Sequence, residues 1–408
     1  MAIGRHVLIG GGLAGAKTAE ALRTEGFDGE IVLIGAEPEL PYERPPLSKD
    51  YLRGESPRDD ARVHPESFYR EQRVDLRLGT TVESIDPGAH EVELRGGERL
   101  AFDRLLLATG AEPRRLKIRG SDLDGVHYLR DLRDADELAT RLDTGGRLAV
   151  IGGGWIGAEV AASARQKGLE VAMIERSARP LEHVLGAEAA GFYAELHRDH
   201  GVALHTEVDV DRFAGAGRVE AVELADGRRI DCDLVVIGVG VLPRTALAEQ
   251  AGVGVENGVV VSDRLESSIA GIFAAGDVAN ADHPFYGHRL RVEHWANALH
   301  QPEVVARAML DKPASYDRLP YFFSDQYDVG MEYAGYAVDW DRVVFRGDPR
   351  GREFIAFWLK AGRVVAGMNV NVWDVTDAIQ ALIRSRQEVP EADLRDPDKP
   401  LDALAAAR

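Results

Sequence analysis

The chain has 408 residues, a length suited to two or three domains, and 45% of them are hydrophobic, enough for each domain to bury a core. Its 68 acidic against 49 basic residues leave a formal charge of −19. That argues against a nucleic-acid partner, because duplex affinity comes from neutralising phosphates with Lys and Arg. One cysteine, Cys232, excludes an internal disulfide framework and a cysteine-ligated metal or iron–sulfur site.

The N-terminus runs straight into the apolar strand Val7-Leu8-Ile9, with no signal-peptide pattern, and no stretch approaches 18 apolar residues. A cytoplasmic chain without membrane insertion is expected. The strand ends in Gly10-Gly11-Gly12-Leu13-Ala14-Gly15, after which a helix is expected over 16–25 and a second strand over 31–34. This is a βαβ unit carrying G-x-G-x-x-G. Gly10 permits the tight turn, Gly12 lets the backbone approach a pyrophosphate, and Gly15 lets the helix pack on the strand. The helix N-terminus then favours the negative charge of the phosphates. Glu37, 22 residues beyond Gly15, is placed to take a ribose hydroxyl.

Short alternating strands follow near 74–78 and 90–94, then Leu105-Leu106-Leu107 runs into Ala108-Thr109-Gly110. The whole pattern recurs. Leu148-Ala149-Val150-Ile151 leads into Gly152-Gly153-Gly154-Trp155-Ile156-Gly157, a helix over 158–167 and a strand over 170–174. Strands near 203–206 and 219–224 follow, and the run 234–237 meets Gly238-Val239-Gly240. Glu175, 18 residues beyond Gly157, accepts a 2′-hydroxyl and repels a 2′-phosphate, which favours NADH. Arg176 and Arg179 stand close enough to serve a 2′-phosphate instead. The glycines alone do not assign either turn to a particular dinucleotide.

An apolar strand at 272–274 ends in Ala275-Gly276-Asp277. From Tyr321 the chain becomes aromatic-rich, with the alternating run 354–359 and a helix expected over 374–384, the pattern of an α+β domain. A tail from Glu388, rich in Pro, Asp and Ala, is expected to be loosely ordered. His64, His127 and His294 show no metal-ligand spacing, so no metal site is expected.

Arg44-Pro45-Pro46-Leu47-Ser48-Lys49, both glycine turns, Ala108-Thr109-Gly110, Ala275-Gly276-Asp277 and Arg291-Val292-Glu293-His294-Trp295 stand in one order along nearly the whole chain. In that order the chain resembles the putidaredoxin reductase-like ferredoxin reductases of oxygenase systems. The resemblance implies an α/β fold with two Rossmann-like dinucleotide-binding domains and a C-terminal α+β domain. Residues 1–112 and 246–320 would form a discontinuous FAD-binding domain, 113–245 an inserted NAD-binding domain, and 321–408 the C-terminal domain.

It further implies that FAD lies on Gly10, Gly12, Leu13, Ala14 and Gly15, with Ala36 and Glu37 at its ribose. Arg44, Lys49, Val82, Ala108, Thr109, Gly110, Arg130 and Gly276 would complete that site, with Asp277 on the ribityl chain and Glu293, His294, Trp295 and Ala296 at the ring. NADH would lie on Gly152, Gly154, Trp155, Ile156 and Gly157, with Glu159, Glu175, Arg176, Gly238, Val239 and Gly240. Lys49 would stand beside the isoalloxazine ring, and Glu159 is expected to approach the nicotinamide and pair with Lys49; these two are the candidate catalytic residues.

Elementary chemistry agrees. Pro45-Pro46 stiffens the segment that presents Arg44 and Lys49, and a cation or a helix N-terminus near a flavin stabilises its reduced form. Trp295 either shields a flavin face or packs in a core.

The implied activity is NADH-dependent ferredoxin reduction. Hydride passes from NADH to FAD, and single electrons pass to a [2Fe-2S] ferredoxin that serves a cytochrome monooxygenase or ring-hydroxylating dioxygenase. A disulfide or peroxide reductase would need a cysteine beside the flavin, and Cys232 is not near those motifs. An apoptosis-inducing-factor-like flavoprotein and an NADH oxidase or dehydrogenase are the alternatives. An acidic ferredoxin calls for basic side chains near the flavin edge, for which Arg58, Arg62, Arg70, Arg73, Arg289 and Arg291 are candidates. The chain is read as a monomer or weak dimer.

Overall fold

The computed structural model describes residues 4–406, and its strands begin where the apolar runs do. Two compact units result. One comprises Met1–Arg44, Arg58–Glu112 and Val241–Pro320; the other comprises Pro45–Pro57, Pro113–Gly240 and Tyr321–Arg408.

The first unit is built on a five-stranded parallel sheet in the order Ile272–Ala274, Arg104–Leu107, Arg5–Ile9, Glu30–Ile34, Val74–Arg77. Leu8 stands opposite Leu33 on one side and Leu106 on the other. Both faces are covered, so these strands read as unbroken apolar runs rather than alternations. Helices Leu13–Thr24 and Trp295–Met309 pack together in this unit. An antiparallel meander, Val82–Asp86, Glu91–Leu94 and Arg99–Ala101, completes it.

The second unit repeats the plan with a parallel sheet ordered Val202–His205, Glu170–Ile174, Arg147–Ile151, Leu234–Ile237, Val126–Tyr128. It has its own meander, Val210–Ala214, Ala221–Leu224 and Arg229–Asp231. The repeat visible in the glycines therefore extends through each whole half. In both halves the helix begins three residues before the expected position, at Leu13 and Trp155, because the third glycine lies inside the first turn.

The same unit contains an antiparallel five-stranded sheet, Tyr321–Gln326, Val329–Gly335, Arg363–Val370, Glu353–Lys360, Arg342–Asp348. Its core joins Trp358 and Phe354, both fully buried, to Leu185 and Tyr193 of the helix Glu182–Asp199. The Trp358 indole N–H donates to the Leu185 carbonyl at 3.0 Å. The segment Pro45–Pro57 also packs in this unit, Leu52 lying buried with Ala158 and Ala161 of the second glycine-turn helix. Among the described residues no helix is long and apolar enough to cross a membrane.

The expectation of a loosely ordered tail is corrected. Short helices span Glu391–Arg395 and Leu401–Ala406, and Arg346 donates to the carbonyls of Pro397 (2.9 Å) and Lys399 (2.8 Å). Leu394 is fully buried. Leu394→Ala should therefore cost about 2–3 kcal/mol, a cavity effect that a denaturant-unfolding midpoint would read; an unchanged midpoint would return the tail to the role of a passive extension.

Candidate functional site

Gly10 follows its strand at φ +130°, and a Cβ there would stand 2.1 Å from the Ala108 carbonyl oxygen, so only glycine makes this turn. Gly12 differs. Its backbone is extended (φ −98°, ψ −167°), and a Cβ placed on it would meet no protein atom within 4 Å. The helix Leu13–Thr24 starts here with no side-chain cap. By contrast, the helix Leu132–Asp143 starts with a complete capping box made by Asp131 and Asp134. An uncapped helix end beside open space is a cradle for a phosphate group, whose oxygens replace the missing cap.

The second turn matches it point for point. Gly152 has φ +97° with its Cβ position 2.5 Å from the Gly238 carbonyl oxygen, while at Gly154 the nearest protein atom is 4.0 Å away. The helix Trp155–Gln166 is likewise uncapped by any side chain. Both turns therefore fit a dinucleotide pyrophosphate. The sequence segments that close them also correspond, since Ala108 N–H bonds to Ile9 (2.8 Å) as Gly238 N–H bonds to Ile151 (2.8 Å).

The two ribose-side acids are differently held. Glu37 accepts from the Tyr42 hydroxyl and from Arg44 at 3.1 Å. Arg44 is thus tied to Glu37 in the first unit. Glu175 accepts from the backbone N–H groups of Gly153 (2.6 Å) and Ser177 (2.8 Å), which fixes the carboxylate against its glycine turn. The basic residues that could serve a 2′-phosphate are engaged: Arg176 with Asp209 at 2.7 Å and Arg179 with Glu182 at 3.4 Å.

Elsewhere in the first unit, Asp277 sits in a tight turn over Gly276–Val278, whose Gly276 N–H donates to the Gln301 side chain at 2.7 Å. Arg291 donates to the Asp277 carbonyl (3.2 Å) and pairs with Glu293 (2.7 Å). His294 is the N-cap residue of the helix Trp295–Met309, and burial brings its imidazole down to about 4 against the opposing pull of Asp277. The Trp295 indole N–H donates to Glu43 at 2.9 Å. Val82 and Ala296 are buried, Ala36 is exposed, and Thr109 donates to the Arg244 carbonyl at 2.7 Å.

In the second unit, Arg130 precedes the helix Leu132–Asp143 and its N–H donates to Asp134 at 2.9 Å. The Trp155 ring packs edge-on to Tyr193 (5.5 Å) and Phe322 (5.1 Å), whereas Ile156 beside it is 45% exposed. Lys49 and Glu159 meet at 2.9 Å although only 7% and 3% of each is exposed. Glu159 also accepts from the hydroxyls of Ser48 and Ser324, the latter at 2.7 Å, and Lys49 donates to the Pro45 carbonyl at 3.2 Å. Ser324 and Gln326 are the functional candidates that motif reading missed, for nothing in the run Tyr321 to Tyr327 signals which residues face inward.

Of the six arginines proposed to receive a partner, Arg58, Arg62, Arg73, Arg289 and Arg291 each pair with an acid, and the Arg291 side chain is only 9% exposed. Arg70 is exposed and makes no ion pair among the described residues. Cys232 is 1% exposed and burial pushes its thiol up to about 12. An aromatic disulfide reagent should find no reactive thiol in the native protein and one per chain after denaturation; rapid native labelling would contradict this burial.

Over residues 4–301 the chain matches the family described as pyridine nucleotide-disulphide oxidoreductase, and over residues 321–405 the one described as reductase C-terminal. It is 36% identical over 407 residues to putidaredoxin reductase of Pseudomonas putida, with 98% of this chain and 96% of that protein covered. It is 39% identical over 399 residues to the ferredoxin–NAD(+) reductase component of the anthranilate 1,2-dioxygenase system of Burkholderia cepacia, covering 96% of this chain and 97% of that one. The solved covalent putidaredoxin reductase–putidaredoxin complex is similar with a TM-score of 0.96 and 35% identity, over 100% of this chain and 99% of that one. The chain is an oxidoreductase and belongs to the putidaredoxin reductase-like ferredoxin reductases within the pyridine nucleotide-disulphide oxidoreductase family.

Proposed function

We propose that this chain is an NADH-dependent ferredoxin reductase of the cytoplasm, moving electrons from NADH through FAD to a [2Fe-2S] ferredoxin that feeds an oxygenase. The observation that carries the reading is the fate of the sulfur. The family description includes a disulphide, yet the single cysteine here is buried in the second unit's core with its thiol pushed up to about 12. With no thiol relay in this chain, reducing equivalents have no internal acceptor beyond the flavin.

FAD, when bound, supplies the step between a two-electron donor and a one-electron acceptor. The chain's own residues do the binding and the positioning. The N–H groups at the start of Leu13–Thr24 hold one pyrophosphate and those at the start of Trp155–Gln166 hold the other. Glu37 accepts from the FAD ribose. Glu175, held by Gly153 and Ser177, accepts from the adenosine 2′-hydroxyl of NADH and repels a 2′-phosphate. Lys49 stabilises negative charge on the flavin ring, and Glu159 holds Lys49 in place. Domain limits of 1–112 with 246–320, 113–245 and 321–408 accompany this reading.

Anaerobic titration with NADH and NADPH, followed by cytochrome c reduction with a panel of [2Fe-2S] ferredoxins, tests it. Bleaching of the oxidised flavin by NADH, with cytochrome c reduction that depends on ferredoxin, is the expected result. Purification without bound flavin would sink it. Turnover with oxygen that no ferredoxin accelerates would favour an NADH oxidase.

A further inference from the structure

Glu159 is the end of a longer chain of hydrogen bonds that no motif announces. Its Oε1 accepts from Ser324 Oγ at 2.7 Å; Ser324 Oγ accepts from Gln326 Nε2 at 3.2 Å; Gln326 Oε1 accepts from His197 Nε2 at 3.0 Å; and His197 Nδ1 lies 3.2 Å from the Tyr327 hydroxyl. Exposures of 3% at Glu159, 1% at Ser324, 2% at Gln326 and 0% at His197 keep water from substituting for any link. Every member belongs to the second unit.

The direction of each bond is forced by the one before it. A carboxylate paired with Lys49 only accepts, so the Ser324 hydroxyl must point its proton at Glu159. Its lone pair then faces Gln326, which must present its NH2 group there. The Gln326 carbonyl is left for His197, which must carry its proton on Nε2. Burial brings His197 down to about 4 against the opposing hydrogen bond from Gln326, so the ring is neutral near pH 7 and holds one proton. That proton stands at Nε2, and Nδ1 accepts from Tyr327.

We propose that His197, acting through Gln326 and Ser324, is a positioning residue that locks the Glu159 carboxylate in the orientation that holds Lys49. Glu159 offers its Oε2 to Lys49 and Ser48 only because Oε1 is committed to Ser324. Release of Ser324 frees the carboxylate to rotate, and the lysine ammonium follows it. His197 comes from the helix Glu182–Asp199 and Gln326 from the strand Tyr321–Gln326, so the chain ties the C-terminal sheet to the candidate catalytic pair. The inference rests on the reading of Lys49 and Glu159 given above.

Two readouts test it. Histidine 15N NMR of the holoenzyme, with His197→Gln used for assignment, should show His197 as the neutral Nε2–H tautomer; an Nδ1–H tautomer overturns the proposal. Stopped-flow reduction by NADH should give His197→Leu a limiting rate about tenfold below wild type with the NADH concentration dependence unchanged, as expected for a lost supporting hydrogen bond. Ser324→Ala, which leaves the packing nearly intact, should show the same loss should His197→Leu fail to fold. The double variant should lose no more than either single one, because both cut the same chain. His197→Gln, which sets an amide N–H near the Nε2 position, should recover most of the rate. Wild-type limiting rates in both single variants, multiplicative losses in the double, or no recovery in His197→Gln each overturn the positioning role while leaving the ferredoxin-reductase reading intact. A wild type that NADH does not reduce overturns both.

Discussion

Gly12→Ala is expected to give a folded protein that purifies without its flavin. The residue's extended backbone is open to any amino acid, and its Cβ would touch no protein atom within 4 Å, so folding has no reason to fail. The space it enters is the space a pyrophosphate needs in order to reach the helix N-terminus. A displaced phosphate loses charge-assisted N–H bonds worth about 1.5–3 kcal/mol each, so FAD affinity should fall about 100-fold or more. Gly154→Ala is the matched experiment, since the second turn has the same opening, with the nearest protein atom 4.0 Å from the Cβ position. It should retain FAD and bind NADH at least about tenfold more weakly, a single lost bond's worth. Circular dichroism, flavin absorbance per chain and NADH titration separate the outcomes. Loss of flavin from Gly154→Ala and not from Gly12→Ala would reverse the assignment of the two turns.

That contrast also shows what a sequence can and cannot disclose. The glycine turns were legible because local backbone geometry dictates them: Gly10 and Gly152 need positive φ, and each stands between an apolar strand and a helix of fixed length. The parallel strands were legible because burial on both faces removes alternation. The pairing of Glu159 with Lys49 was expected, but its hydroxyl partners were not, because Ser48 and Ser324 lie 111 and 165 positions away in sequence and meet it only through tertiary packing. Pro45–Pro57 reads as a continuation of the first βαβ unit, yet it packs in the second, where Leu52 finds its apolar neighbours. The tail failed for the opposite reason: helices of five and six residues carry too little periodicity to stand out among Pro and Asp, and burial of Leu394 decides the matter.

Glu159→Leu should be among the most destabilising single substitutions in the second unit, and Lys49→Met/Glu159→Leu should largely undo the damage. Lys49 is 7% exposed, and without Glu159 it would keep the Pro45 carbonyl at 3.2 Å, the Phe323 ring at 5.5 Å and the field of the Asp325 carboxylate, none of which replaces the direct ion pair. Removing one member of a buried pair leaves an uncompensated charge at a cost of about 3–5 kcal/mol. Lys49→Met should cost less, because Glu159 keeps the hydroxyls of Ser48 and Ser324. Replacing both charges with apolar side chains of similar size removes the desolvation penalty together with the attraction, so the double variant should lie within about 1–2 kcal/mol of wild type. Stability therefore gives little reason for these two charges to be here, and the role proposed for Lys49 beside the flavin supplies one. A cation at the flavin ring stabilises the charge that builds there during reduction, and loss of such a group typically slows a step by about 100-fold or more. The double variant should thus unfold near the wild-type denaturant midpoint while NADH bleaches its flavin about 100-fold more slowly. A double variant that is both stable and fast would make the pair a packing feature and remove Lys49 and Glu159 from the candidate catalytic residues.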